Sequence, residues 1–163
     1  MHGNNNFYAE YMKLQEKLQM KEALNEKILD SILDDDDEQF IQFVTQIKDT
    51  SMNSNKKFKM TQYRIPQLLN YNPTYASLCT VFNAEKCFTS LLNICSNEQT
   101  SEKFNRPDKK GRSPIHFACF GGNMNIVRQL YQLGFDLNAT DNDGLQPSHY
   151  SAMSCTIEVM KYL

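Results

Sequence analysis

The sequence predicts an all-α fold: a solenoid of short stacked helix pairs, preceded by an N-terminal helical region. Three observations lead there. A block of turn and helix residues recurs after 33 positions, its apolar residues are spaced for helices, and a weaker copy of the block stands upstream.

The repeat begins at Asp108-Lys-Lys-Gly111-Arg-Ser113-Pro114-Ile115-His116, which returns as Asp141-Asn-Asp-Gly144-Leu-Gln146-Pro147-Ser148-His149. Asp, Gly, Pro and His recur in register, and Ile126, Val127 and Leu130 map onto Val159, Met160 and Leu163. Asp108 to Gly111 reads as a turn closed by glycine. Ser113-Pro114 reads as a helix start, with Ser as the cap and Pro at the first helical position. Ala118 and Cys119 are small enough for close helix packing, and Gly121-Gly122 ends the helix. Asn123 can cap a second helix, whose buried stripe is predicted to comprise Ile126, Val127, Leu130 and Tyr131. Gly134 ends that helix, and Phe135 to Asn138 leads into the next turn.

Turn, short helix, tight reversal, longer helix and loop, at a period of 33, resemble the ankyrin repeat. The residues that carry the resemblance are Gly111-x-Ser113-Pro114-Ile115-His116-x-Ala118, Gly122, Ile126-Val127, Leu130 and Gly134-x-Asp136-Leu137-Asn138. The second copy departs from the family pattern at Gln146, Ser148, Ser151 and Cys155, so its packing and inter-helix turn are expected to be less regular. By the same resemblance His116 and His149 hydrogen-bond between neighbouring loops, a structural role favoured over a catalytic one.

Upstream, Thr74 to Asn83 reads as the first helix and turn of a diverged copy, with Asn83 where the family has Gly. Cys87, Phe88, Leu91 and Leu92 match Ile126, Val127, Leu130 and Tyr131 at an offset of 39, the extra residues falling in the polar stretch 96–106. A longer inter-repeat loop costs little, because closure entropy grows slowly with length. Ile65, Leu68 and Leu69 form another short face near Pro66, and the polar residues 50–59 read as a loop. Phe40, Ile41, Phe43, Val44 and Ile47 form a helical face that follows the acidic run Asp34 to Glu38. Acids in a first turn favour the helix dipole. Calcium binding is the less favoured reading, since the run lacks the glycine and the alternating ligands of a calcium loop. Residues Phe7 to Leu33 read as one long helix striped by Leu14, Leu18, Leu24, Ile28 and Ile32. The stripe is not a sustained heptad, so a helix that packs on the nearest repeat is favoured over an oligomerisation helix. The chain therefore divides into an N-terminal helical region at 1–70, made of degenerate repeats or a cap, and an ankyrin-repeat domain at 71–163. Leu163 falls midway along the last second helix, so that repeat is expected to be incomplete and the native chain to continue.

The net charge is −2 with 22% charged residues, which gives no general pull toward nucleic acid or anionic lipid. The basic clusters Lys56-Lys57-Phe58-Lys59 and Lys109-Lys110 with Arg112 are too small for a nucleic-acid footprint. No apolar run is long enough to insert in a membrane, and no secretory signal opens the chain. Cys79, Cys87, Cys95, Cys119 and Cys155 are odd in number and form no C-x-x-C pair, which suits reduced thiols in a cytoplasmic protein. The sequence offers no metal-ligand spacing, no phosphate loop and no nucleophile elbow, so neither cofactor, metal nor catalysis is expected.

What the resemblance implies is a protein–protein interaction module, an adaptor or scaffold acting as a monomer on protein partners. The alternative is a regulatory segment of a longer enzyme whose catalytic domain lies past residue 163. Family positions carried over one at a time give Lys109, Lys110, Arg112 and Phe120 as partner-binding residues in one repeat. In the next they give Asn142, Asp143, Leu145, Met153 and Ser154. Lys109, Lys110 and Arg112 would form a cationic tip able to meet an acidic patch, with Phe120 and Met153 as apolar anchors.

Overall fold

A computed structural model describes residues 4–46, 67–95 and 106–163. Its regular structure is helical: α1 (Asn4–Leu33), α2 (Asp37–Val44), a 3-10 turn (Gln67–Tyr71), α3 (Tyr75–Val81), α4 (Glu85–Ile94), α5 (Pro114–Gly121), α6 (Met124–Gln132), α7 (Pro147–Met153) and α8 (Ile157–Tyr162). The odd-numbered helices form one layer and the even-numbered ones the other, with α5 between α3 and α7, α2 against α4, and α4 against α6. The expected all-α stack of helix pairs is what forms. The expected loop at 50–59, Ile65 and Pro66, and all but the last residue of the inter-repeat stretch lie outside the described residues.

Local chemistry sets the helix ends. Thr74 caps α3 by accepting the Ser77 N–H, and Asn123 caps α6 by accepting from Asn125 and Ile126. Asp36 caps α2 through the Gln39 N–H, and these hydrogen bonds hold its carboxyl below the usual range. The acidic run thus performs the helix-start role read from the sequence. At the starts of α5 and α7 the N-cap residues are Ser113 and Gln146, each in a capping box with the histidine three residues on: Nδ1 of His116 accepts the Ser113 N–H at 3.2 Å, and Nδ1 of His149 accepts the Gln146 N–H at 2.9 Å.

One apolar core runs through the stack. Ile28, Ile32, Phe40, Leu78, Phe88, Leu91, Ile115, Phe117, Ile126, Val127, Leu130 and Val159 are all buried. Burying each such side chain contributes about 1.5–3 kcal/mol. Two sequence expectations need correction. Tyr131 is 53% exposed, because it lies one position round α6 from the stripe that meets α5. On α1 only the C-terminal end is core: Ile28 and Ile32 are buried, whereas Leu14 and Leu18 are exposed. α3 is only seven residues long, so α1 overhangs it, and among the described residues nothing covers Leu14 and Leu18.

The reversal between the two helices of a pair needs a left-handed backbone. Gly122 supplies it at φ +84°, and Asn83 and Cys155 occupy the same place at +59° and +57°. Substituting Asn and Cys for Gly therefore leaves the turn geometry in place, at the strain a side chain adds there. Gly121 is needed for a different reason: a methyl group there would run into the Thr80 carbonyl of α3.

Candidate partner-binding surface

The tips between helix pairs are built on aspartate. In one copy Asp108 Oδ1 accepts the N–H groups of Lys110 (2.9 Å) and Arg112 (3.0 Å). In the next copy Asp141 Oδ1 accepts those of Asp143 (2.9 Å) and Leu145 (2.8 Å). The tips are then laced to one another. The Lys109 N–H donates to the Tyr71 carbonyl and the Asn142 N–H to the Lys110 carbonyl. His116 ties the same loops from beneath. Its Nδ1 is an acceptor, so Nε2 carries the proton and donates to the Ala139 carbonyl at 3.1 Å. The inter-loop role read for His116 is the one it plays. His149, in the same position, is exposed.

The predicted residues divide into two groups. Lys109, Asn142 and Asp143 are exposed at the tips, with Lys110 beside them. Lys110 Nζ pairs with Asp143 at 3.0 Å and sits 5.4 Å from the Tyr71 ring, and the Asp143 hydrogen bond raises its pKa. Met153 is 61% exposed, while Phe120, Leu145 and Ser154 are half-buried, and Ser154 donates its hydroxyl to the Tyr150 carbonyl.

Arg112 is the correction. The expected three-residue cationic tip does not form, because Arg112 is 5% exposed and turned into the protein. Its guanidinium donates to Asp108 Oδ2 and to the Leu68 carbonyl, and lies 5.0 Å from the Phe117 ring. A charge this buried is bound to its partner and positions the tip from inside. With Lys110 paired to Asp143, the tip is mixed in charge and not a basic patch.

Sequence reasoning missed Tyr71, which is 41% exposed and opens the row of tips. The signal was present: the offset of 39 that aligns Cys87 with Ile126 also aligns Tyr71 with Lys110, and Asn72 with Gly111. Asn72 has φ +57°, against +78° at both Gly111 and Gly144.

Catalytic chemistry finds no footing at the residues that first suggest it. Cys119 is fully buried and burial pushes its thiol up to about 12, so it is not a nucleophile near neutral pH. His116 is buried with both ring nitrogens engaged. Among the described residues, no three His, Cys, Asp or Glu side chains converge as a metal site, and no helix is long and apolar enough to cross a membrane.

Turn–helix–turn–helix units stacked in register, with tips exposed along one edge, define a repeat solenoid whose surface chemistry is recognition. A family model described as ankyrin repeats (3 copies) matches residues 75–163, more than half of the chain, and the chain belongs to that family. Ankyrin repeats generally mediate protein–protein interaction. The chain is 45% identical over 53 residues to alpha-latrotoxin-Lh1a of Latrodectus hasselti, covering 32% of this chain and 4% of the toxin. It is 32% identical over 84 residues to a probable 26S proteasome regulatory subunit p28 of Saccharomyces cerevisiae, covering 50% of this chain and 36% of that one. It is 26% identical over 117 residues to a putative ankyrin repeat protein of Acanthamoeba polyphaga mimivirus, covering 72% and 16% respectively. The chain thus spans well under two thirds of each of these relatives.

Proposed function

We propose that this chain is a non-catalytic adaptor or scaffold module, working as a cytoplasmic monomer, that holds a protein partner against its row of tips and the adjoining first-helix face. The observation that carries this reading is the lacing of tip to tip through backbone hydrogen bonds, which presents Tyr71, Lys110 and Asp143 in a fixed row. A pre-ordered surface loses little conformational freedom on binding. Lys109 and Asn142 offer polar contacts beside that row, and Met153 is the apolar anchor, flanked by Phe120, Leu145 and Ser154. Arg112 acts indirectly, by holding the tip in shape. Mixed charge along the row favours a partner with both signs over a purely acidic one. Four of the five thiols are buried and none is in a disulfide, which suits a reducing compartment.

The test is affinity capture with the full chain, read by quantitative mass spectrometry. Proteins retained by wild type should be lost from Met153→Asp and from a Lys109→Glu/Asp143→Lys double variant, and kept by Lys161→Glu on the opposite layer. Identical retention by all four proteins rejects the tips and first-helix face as the binding surface.

A further inference from the structure

The region matched by the ankyrin family model begins at residue 75, but the geometry of the stack does not begin there. The reversal between α1 and α2 is centred on Asp35, at φ +48°. Asp35 stands where Asn83, Gly122 and Cys155 stand in the later pairs. The residue that follows it, Asp36, donates its N–H to the Ser31 carbonyl, five positions back. Ala84 donates to the Cys79 carbonyl and Thr156 to the Ser151 carbonyl in the same way. Four positions before each left-handed residue the first helix has a small, buried side chain: Ser31, Cys79, Ala118 and Ser151. Seven positions before, Ile28 matches Ala76 and Ile115, all fully buried, and five positions after, Phe40 matches Phe88 and Val127, also buried. The neighbours agree as well, since α1 packs on α3 and α2 on α4.

From this we infer that residues 27–44 are a fourth ankyrin-type unit, which closes the N-terminal end of the stack and is clasped to it by Asp35. The unit lacks the Gly, Pro and His of the later copies. It also lacks a tip, because α1 runs on as helix through the positions where a tip would stand. What replaces the missing motif is a side chain. The Asp35 carboxylate accepts the N–H of Lys86 at 3.3 Å and of Cys87 at 3.1 Å, in the first turn of α4, where helix amides have no internal partner. Around that clasp Tyr75 donates to Asn25 at 2.7 Å, Ser90 to Asp37 at 3.1 Å, and the Cys87 thiol to the Ser31 carbonyl at 3.5 Å. Asp35 is thus both the left-handed residue of its own turn and the cap of the next unit's second helix. Glycine could supply only the first of these, which accounts for an acid at this place.

The inference goes beyond the binding role and is tested apart from it, by native-state hydrogen exchange of the full chain across sub-denaturing urea. If 27–44 is a unit of the stack, its amides in α1 and α2 lose protection together with those of α3 and α4, at the same urea dependence. Asp35→Gly keeps the turn conformation and removes the clasp, so the amides of Lys86 and Cys87 should exchange roughly tenfold faster, and those of residues 27–44 with them. Asp35→Asn, which keeps one acceptor oxygen, should fall between the two. Ser31→Leu, which places a large side chain where every unit has a small one, should uncouple α1 and α2 from α3. The inference is overturned if residues 27–44 in the wild type exchange freely while α3 and α4 stay protected. It is equally overturned if Asp35→Gly leaves the protection of both α2 and α4 unchanged.

Discussion

The tips at 108–111 and 141–144 are the same structure made in two ways. Each aspartate grips two backbone N–H groups with Oδ1 at nearly equal distances. The second oxygen differs. Asp108 Oδ2 is met by the guanidinium of Arg112, four residues on, and Asp141 Oδ2 by the hydroxyl of Tyr150, nine residues on. Phe117 holds the Tyr150 position in the earlier copy, and Leu145 holds the Arg112 position in the later one. The repeat preserves the turn, therefore, and leaves open which donor satisfies the remaining lone pairs. One solution is an ion pair, the other a hydrogen bond to a neutral group, and they should fail differently.

The largest expected effect is at the ion pair. Arg112→Ala leaves Asp108 buried without its cation and should cost about 3–5 kcal/mol in urea unfolding. Tyr150→Phe removes one hydrogen bond to a carboxylate and should cost about 1.5–3 kcal/mol at neutral pH. Burial raises the pKa of Asp141, but the Tyr150 hydroxyl and the backbone N–H groups of Leu145 and Asp143 outweigh it, so the net position is below the ordinary value. A depressed carboxyl stabilises the fold above its unfolded pKa, and that contribution disappears as pH falls through the folded value. The cost of Tyr150→Phe should therefore shrink in acid. Burial also pushes His116 below the usual histidine value of 6.5, with the hydrogen bond to the Ala139 carbonyl opposing. The neutral ring is the favoured form, so stability should decline as pH falls below about 6.5, and His116→Asn should flatten that part of the curve. The smallest effect is at the reversals: Cys155→Gly should stabilise by about 0.5–1 kcal/mol by relieving the left-handed strain, measured as a rise in the urea midpoint.

Most of the two later units was legible in the sequence, because their signals are local. Pro114, Asn123 and Gly122 each act within a turn of where they stand, as does Nδ1 of His116, and a spacing of 33 repeats the Pro and the His. The direction of Arg112 was not legible. At a turn tip it is indistinguishable from Lys109 and Lys110 until the fold brings Leu68 and Phe117 to it. The exposure of Leu14, Leu18 and Tyr131 was hidden for a related reason: helical spacing shows which residues share a face, but not whether a neighbour covers it. Asp35 was read with its acidic neighbours as part of a helix start, although its own carboxylate reaches a helix 51 and 52 positions further on.

The most direct test of the two-solution account is a double-mutant cycle on each tip, using Asp108→Ala with Arg112→Ala and Asp141→Ala with Tyr150→Phe, read by urea unfolding. Strong coupling is expected within each pair: the second substitution should cost at least about 1 kcal/mol less once the first is made. Additive costs in the Asp108 and Arg112 cycle, within about 0.3–0.5 kcal/mol, would contradict it.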